Sequence, residues 1–224
     1  MNILFFGSSS FASQELTKSL DKNYKVFFFS RKKNKKKNFF HFDLKSTNKS
    51  LFKKLKKKKI DYLFFFSSHV PLREHLSDWN DCKEINVIGL INLIENLKCK
   101  INKIILASSC SVYGKNKDVL NEKTFLKPDN PYALSKFAQE NILRIYCQNN
   151  NIKFLCYRFG YVYGKNMNKN RLVKKIILNL QNNKKIKLFN KNLNLNLVHT
   201  EDIKNIIMKT FKSANGIYNL TNKN

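Results

Sequence analysis

The chain has no stretch approaching the roughly 18 uninterrupted apolar residues that a membrane span needs. Its N-terminal apolar run, Ile3-Leu4-Phe5-Phe6, is too short for a secretory leader and has no basic flank before it. We therefore expect no membrane contact and a cytoplasmic location. The five cysteines, Cys82, Cys99, Cys110, Cys147 and Cys156, show no C-x-x-C spacing, and their odd number argues against a disulfide framework as well as a zinc site. Reduced, mostly buried thiols are expected instead. The four histidines, His41, His69, His75 and His199, lie scattered without ligand spacing, so no metal is assigned. Acidic residues are few, 15 against 43 basic ones, which leaves a formal charge of +28. A basic face of that size can neutralise nucleic-acid phosphates. Glycine and proline are also scarce, however, while lysine, asparagine, isoleucine and phenylalanine abound together. That bias is what coding drift towards A and T produces, so the lysines say little about partners and we expect no nucleic-acid ligand.

What is present fits one domain of ordinary size: 224 residues, 42% of them hydrophobic. Short apolar runs at 2 to 6, 25 to 29, 61 to 66, 103 to 107 and 153 to 157 read as buried strands. Helical patterns over 11 to 20, 79 to 97 and 130 to 148 alternate with them. That alternation predicts an α/β fold, a doubly wound parallel sheet of the Rossmann type covered on both faces. The segment 31 to 59 is the most polar; Arg31 to Lys37 and Lys53 to Lys59 read as solvated loop and helix faces. Beyond residue 165 the pattern loosens into a helix near 170 to 182, a strand near 186 to 189, a helix near 201 to 212 and a strand near 217 to 220. We expect residues 1–165 to form a nucleotide-binding domain. Residues 166–224 then form a small, shortened C-terminal substrate-binding part interleaved with the last sheet elements.

The first strand runs into Gly7-Ser8-Ser9-Ser10-Phe11-Ala12-Ser13 and then a helix. A glycine-rich turn at this place sets a dinucleotide pyrophosphate on a helix N-terminus, which points to Gly7, Ser9, Ser10 and Phe11. Only the first glycine is present. Ser10 and Ser13 stand at the second and third positions, where a Cβ is expected to crowd the approach, and a serine-capped helix is the competing reading. At the end of the second strand, Ser30-Arg31-Lys32 replaces the acidic residue that would bind the ribose hydroxyls of NAD. A cation there suits a 2′-phosphate, which tilts the expectation from NAD towards NADP, with Arg31 as the contact.

Tyr132-Ala-Leu-Ser-Lys136 puts two side chains four residues apart on one helix face. In so lysine-rich a chain the spacing alone is uninformative, since Tyr113 with Lys117 and Tyr161 with Lys165 share it. Those two sit in turn-like Val-Tyr-Gly contexts. Only Tyr132 follows Pro128-Asp129-Asn130-Pro131, a helix-starting sequence. A phenol of ordinary pKa near 10 has to act near neutrality, a shift of about 3 units or roughly 4 kcal/mol, and an adjacent ammonium favours the phenolate. Ser109, at the end of the fourth strand, can hydrogen-bond and position a substrate oxygen beside Tyr132. For Trp79, Tyr113 and Tyr163, packing in the core or in loops is the better reading.

On these residues the chain resembles the extended short-chain dehydrogenase/reductase superfamily, and within it the NAD-dependent epimerase/dehydratase family. Ser108-Ser109-Cys110-Ser111-Val112-Tyr113-Gly114 is similar to the family's catalytic serine segment, and Asn130-Pro131-Tyr132-Ala-Leu-Ser135-Lys136 to its catalytic helix. Asn86-Val-Ile-Gly89, Arg158-Phe-Gly-Tyr-Val-Tyr-Gly164, Val198-His199 with Asp202, and Gly216-Ile-Tyr-Asn219 resemble further segments in the proper order. The resemblance implies an NAD(P)-dependent epimerase or reductase acting on a secondary alcohol or ketone carbon of a sugar or nucleotide sugar. Ser109, Tyr132 and Lys136 would be catalytic, with Lys136 and Tyr132 also at the nicotinamide ribose. Asp43 and Leu44 would approach the adenine, Ser67 and Ser68 the cofactor beyond the third strand, and Ser109, Ser111 and Tyr161 the substrate. Relatives commonly pair through the helices after strands three and four, which implies a homodimer.

Departures from the family pattern bear on the substrate. Tyr161 replaces an asparagine, and Leu195 an arginine, of the sugar-nucleotide enzymes. Cys110-Ser111 stands where dehydratases carry an acidic pair, which disfavours a 4,6-dehydratase. The serine-substituted turn and the stop at Asn224 also leave open a nucleotide-binding scaffold or regulator with weakened catalysis on the same fold.

Overall fold

A computed structural model describes residues 1–32, 34–46, 52–53, 55, 58–71, 78–115, 120–186 and 195–222. His75, Lys117 and most of the expected strand at 186 to 189 lie outside the described residues. In β1 (Asn2–Phe6), Leu4 and Phe6 enter one apolar core while Ile3 and Phe5 enter another. Successive side chains of a strand leave opposite faces, so a strand apolar on both has to be covered on both. The chain continues through α1 (Gln14–Asn23), β2 (Lys25–Ser30), β3 (Phe39–His41) and β4 (Lys59–Phe65). A long helical run follows, α2, made of Trp79–Asp81, a π-helical stretch Cys82–Ile88 and Gly89–Asn96. Then come β5 (Lys100–Ser109), α3 (Pro131–Asn149), β6 (Lys153–Phe159), β7 (Tyr161–Tyr163), α4 (Leu172–Gln181), β8 (Leu197–His199), α5 (Thr200–Thr210) and β9 (Gly216–Leu220).

Seven strands form one sheet in the order β3-β2-β1-β4-β5-β6-β9, parallel at every pairing, and β7 pairs with β8 apart from it. Ile85, Leu90 and Leu93 of α2 with Leu143 and Cys147 of α3 cover the face carrying Leu4 and Phe6. Leu16 and Leu20 of α1 with Ile203 and Ile207 of α5 cover the other. This is the doubly wound α/β fold that the alternating pattern predicts. Phe5, Phe6, Phe28, Phe29, Phe64 and Phe65 are essentially without solvent contact. Each stabilises the centre of the sheet by roughly 1.5–3 kcal/mol relative to leaving it exposed. After β3 the chain crosses back over β1 to β4, so the strand order reverses between β1 and β4. In such sheets ligands bind in the crevice outside the carboxyl ends of the strands at that reversal.

Several local expectations change. Phe39–His41 is a strand within the stretch read as loop and helix surface, and it pairs with β2 through stacked rings such as Phe28 and Phe39, 4.6 Å apart. Aromatic cross-strand contacts override the flanking lysines there. Trp79 is not packed inside; it is 49% exposed at the start of α2. Tyr113 is buried as expected, and Tyr163 lies over His199 with ring centres 5.0 Å apart. All five thiols are free. Among the described residues no helix is long and apolar enough to cross a membrane.

Candidate active site

The turn after β1 needs glycine at its first position. Gly7 has φ +91°, and a Cβ on it would lie 2.4 Å from the Phe66 carbonyl carbon and 2.5 Å from the Ser67 nitrogen. The ends of β1 and β4 can approach this closely only because that atom is missing. Ser13, at the third position, is fully buried, yet it does not force helix and strand apart. Its hydroxyl lies 2.9 Å from the Gly7 carbonyl oxygen and accepts from the Ser10 hydroxyl at 2.8 Å. A satisfied hydroxyl thus fills the contact that a glycine would leave bare. Among the described residues no side chain caps the short 3-10 turn Phe11–Ser13 or the α1 that follows, contrary to the serine-cap alternative. The first N–H groups of this helical segment remain available to an anion.

The other expected cofactor contacts line the same carboxyl edge. Ser9, Ser10 and Phe11 are half-buried along the turn, and Ser67 and Ser68 follow β4. Arg31 is exposed just beyond β2, where the Ser30 hydroxyl donates to the Lys32 carbonyl at 2.8 Å. Asp43 accepts from the Lys45 N–H at 3.0 Å, and Leu44 is buried against Gly89 of α2. A Cβ on Gly89 would stand 2.7 Å from the Leu44 Cβ, so this helix position also requires glycine.

Helix α3 begins where the sequence indicates. Asn130 Oδ1 accepts from the Ala133 N–H at 2.9 Å, and Pro131 occupies the first turn. Tyr132 and Lys136 therefore share one helix face, whereas Tyr113 lies in a 3-10 turn and Tyr161 in β7. Ser109 closes β5 and accepts from the Ser111 N–H at 3.2 Å. Burial pushes the Tyr132 phenol up to about 12; the Ser109 hydroxyl beside it and the positive charge of Arg171 pull in the opposite direction. The protein groups alone thus leave the phenol above its ordinary value rather than below it. Burial also draws Lys136 down to about 8, against the favourable influence of Cys156 and Glu140. Ser111 Oγ is buried and, among the described residues, has no hydrogen-bond partner. Tyr161 Oη is occupied structurally, accepting from the Leu172 N–H at the start of α4 at 3.1 Å.

Four contributors escape sequence reasoning. Arg171, at the N-terminus of α4, acts on the phenol from an element separated from it by two strands of chain. Asn86, fully buried in the π-helical stretch, accepts from the His69 N–H at 2.7 Å and donates to the Ser135 hydroxyl at 2.8 Å. It stitches the loop after β4 to the helix bearing Tyr132. Gln139 stands beside Lys136, and a buried Glu140–Arg158 pair ties α3 to β6 behind Ser108 and Ser109. Of these, Asn86 and Arg158 carry a signal in the chain, at the heads of the Asn86-Val-Ile-Gly89 and Arg158-Phe-Gly-Tyr-Val-Tyr-Gly164 segments.

The residues present fit a bound dinucleotide. The cradle at Gly7 admits no Cβ, the helical segment beyond it lacks a side-chain cap, and the orphaned Ser111 hydroxyl lies two residues beyond Ser109. Comparison with known proteins gives the same direction. The model of the NAD dependent epimerase/dehydratase family matches residues 3–221. A putative UDP-glucose 4-epimerase of Methanocaldococcus jannaschii is 28% identical over 174 residues, 73% of this chain and 56% of that protein. A UDP-glucose 4-epimerase of Mycoplasma genitalium is 34% identical over 111 residues, 46% of this chain and 32% of that protein. The chain thus spans about half or less of the length of these two relatives. Two solved structures superpose over all of it and 78% of their own length. They are the UDP-glucuronic acid 4-epimerase of Bacillus cereus with UDP-glucuronic acid and NAD, TM-score 0.85 and 21% identity, and the UDP-glucose 4-epimerase of Thermus thermophilus with NAD, TM-score 0.84 and 20% identity.

Proposed function

The chain belongs to the NAD-dependent epimerase/dehydratase family, and from that membership we propose that it is an NAD(P)-dependent epimerase or reductase of a sugar, most simply a nucleotide sugar. The observation that carries the reading is the meeting of Ser109, at the end of β5, with Tyr132, at the start of α3, on a sheet whose first turn admits no Cβ at Gly7. The backbone of Gly7, Ser9, Ser10 and Phe11 holds the pyrophosphate, and Asp43 and Leu44 flank the adenine. Ser67, Ser68 and Lys136 hold the nicotinamide half. The bound nicotinamide supplies or accepts hydride at the substrate carbon. Tyr132 moves the proton of the reacting oxygen, Ser109 holds that oxygen, and Ser111 offers its hydroxyl to the substrate. Residues 166–224 complete the substrate side, with Tyr161 at its border. Cys110-Ser111, where dehydratases carry acids, favours epimerisation of a UDP-sugar over dehydration.

Titration with NADH and NADPH, read by nicotinamide fluorescence, tests the reading. Both are expected to bind, NADPH the tighter through Arg31. Equal affinities would remove the preference, and no binding of either would remove the proposed function.

A second copy of this chain is the expected partner. Leu134 and Ile145 are 43% and 51% exposed and lie three turns apart on α3; Trp79 and Ile88, 49% and 39% exposed, stand on the neighbouring α2. Apolar surface of this kind marks an association site. Light scattering at micromolar concentration should give twice the 26.4 kDa chain mass, and Leu134→Glu with Ile145→Glu should reduce it to the monomer. A monomeric unaltered chain would contradict the pairing.

A further inference from the structure

The Lys136 ammonium is 2% exposed, and its Nζ donates to Gln139 Oε1 at 2.7 Å. Gln139 is itself fully buried, and its Nε2 donates to the main-chain carbonyl of Asn86 at 2.8 Å. This second bond fixes the amide. A carbonyl can only accept, so the nitrogen of Gln139 must face Asn86 and its oxygen must face the ammonium, which can only donate. Asn86 in turn is held by the π-helical stretch of α2, where the Gly89 N–H reaches back five residues to the Glu84 carbonyl. Side-chain bonds to His69 and Ser135 secure it further.

We infer that Gln139 is a positioning residue: it bridges the Lys136 ammonium to the main chain of Asn86 and fixes where that ammonium points before a nucleotide arrives. The bridge rests on geometry alone, and its consequence for nucleotide binding rests on the proposed function. An amide oxygen against the ammonium favours the charged amine, in opposition to the burial that draws Lys136 down to about 8. The other titratable groups that act on Lys136 are Cys156 on β6 and Glu140 on α3; Arg158 lies beyond, paired with Glu140. Glu140 also favours the cation, while burial keeps the Cys156 thiol neutral; the bond to the Asn86 main chain comes from Gln139.

The test is an NMR titration of the full, nucleotide-free chain, following the Lys136 Cε resonance, which is identified by its disappearance in Lys136→Met. In Gln139→Met, which keeps the volume and removes both polar ends, the midpoint should fall by about one unit or more. In Gln139→Glu, which sets a carboxylate against the ammonium, it should rise by about one unit or more. Affinity for NADPH should then decline between about pH 6 and about pH 8 in Gln139→Met at a lower pH than in the unaltered chain, following the Lys136 midpoint. Midpoints unchanged in both variants overturn the bridge. Should neither variant fold, the unaltered chain decides: the Gln139 side-chain amide nitrogen must shift with the Lys136 midpoint, and a flat amide signal overturns the inference. A chain that binds no nucleotide yet shows these shifts would lose the proposed function and keep the bridge. Normal nucleotide binding with a Lys136 midpoint indifferent to residue 139 would do the reverse.

Discussion

Tyr132→Phe should lower turnover by about a hundred- to ten-thousandfold, the range supplied by a positioned proton donor, while nucleotide binding stays within a few-fold of the unaltered chain. The aromatic ring is kept, so packing around the start of α3 is preserved. What disappears is the hydroxyl that meets Ser109 from the helix. Loss of that neutral hydrogen bond should cost only about 0.5–1.5 kcal/mol of stability, so a thermal melt close to that of the unaltered chain, together with lost turnover, separates chemistry from folding. In the direction that oxidises an alcohol, Tyr132 has to accept a proton, and only the phenolate can. With the free phenol raised to about 12, the phenolate fraction grows with pH throughout the neutral range, and this half-reaction should climb with it. The climb should weaken near pH 8, where Lys136 loses its charge. A Tyr132→Phe chain that turned over at the original rate would end the assignment.

How far this site was legible depended on whether its partners were neighbours in sequence. Tyr132 and Lys136 could be read because proline and asparagine announce a helix start just before them and one helix turn separates them. The first-strand turn could be read because glycine at position 7 ends an apolar run. Its two serines looked like obstacles, since nothing in the chain tells that the Ser13 hydroxyl would be absorbed by the Gly7 carbonyl. The strand at 39 to 41 was hidden because its stabilising partners, Phe28 and Phe29, lie on the neighbouring strand β2 and not next to it in the sequence. The π-helical register of α2 was hidden for a similar reason. The apolar spacing over 79 to 97 reads as a regular helix, and the inserted residue becomes visible only when Asn86 is seen bonded to His69 on one side and Ser135 on the other. The exposed Trp79 misled in the opposite sense: a large aromatic residue is usually inside, and this one faces outward on a helix that we expect a second copy to cover.

The largest loss of stability should come from breaking the Glu140–Arg158 pair on one side only. Arg158 is 2% and Glu140 4% exposed, and the guanidinium grips the carboxylate with two bonds, Nε to Oε1 at 3.0 Å and Nη2 to Oε2 at 2.7 Å. Burial disfavours the Arg158 cation, but the hydrogen bonds and charges of Glu140 and Tyr113 hold its pKa above the ordinary arginine value. Ser108 completes the carboxylate shell at 2.5 Å, and Tyr113, 2.7 Å from Nη1, passes the network on to Asn219 of β9. Arg158→Met leaves a buried carboxylate without its counter-charge, and should cost roughly 3–5 kcal/mol in a urea unfolding measurement. That is a large share of the 5–15 kcal/mol on the order of which a domain is stable. Replacing both members, Glu140→Leu with Arg158→Met, removes the stranded charge and should recover most of the loss, because desolvation offsets much of what such a pair contributes. A single replacement costing under about 1 kcal/mol would show that the charges were never dry. Turnover should not recover alongside stability in the double variant: the pair joins β5, β6, β9 and α3 just behind Ser109, and an apolar substitute can fill that space without fixing the distance between the serine on one element and the phenol on the other.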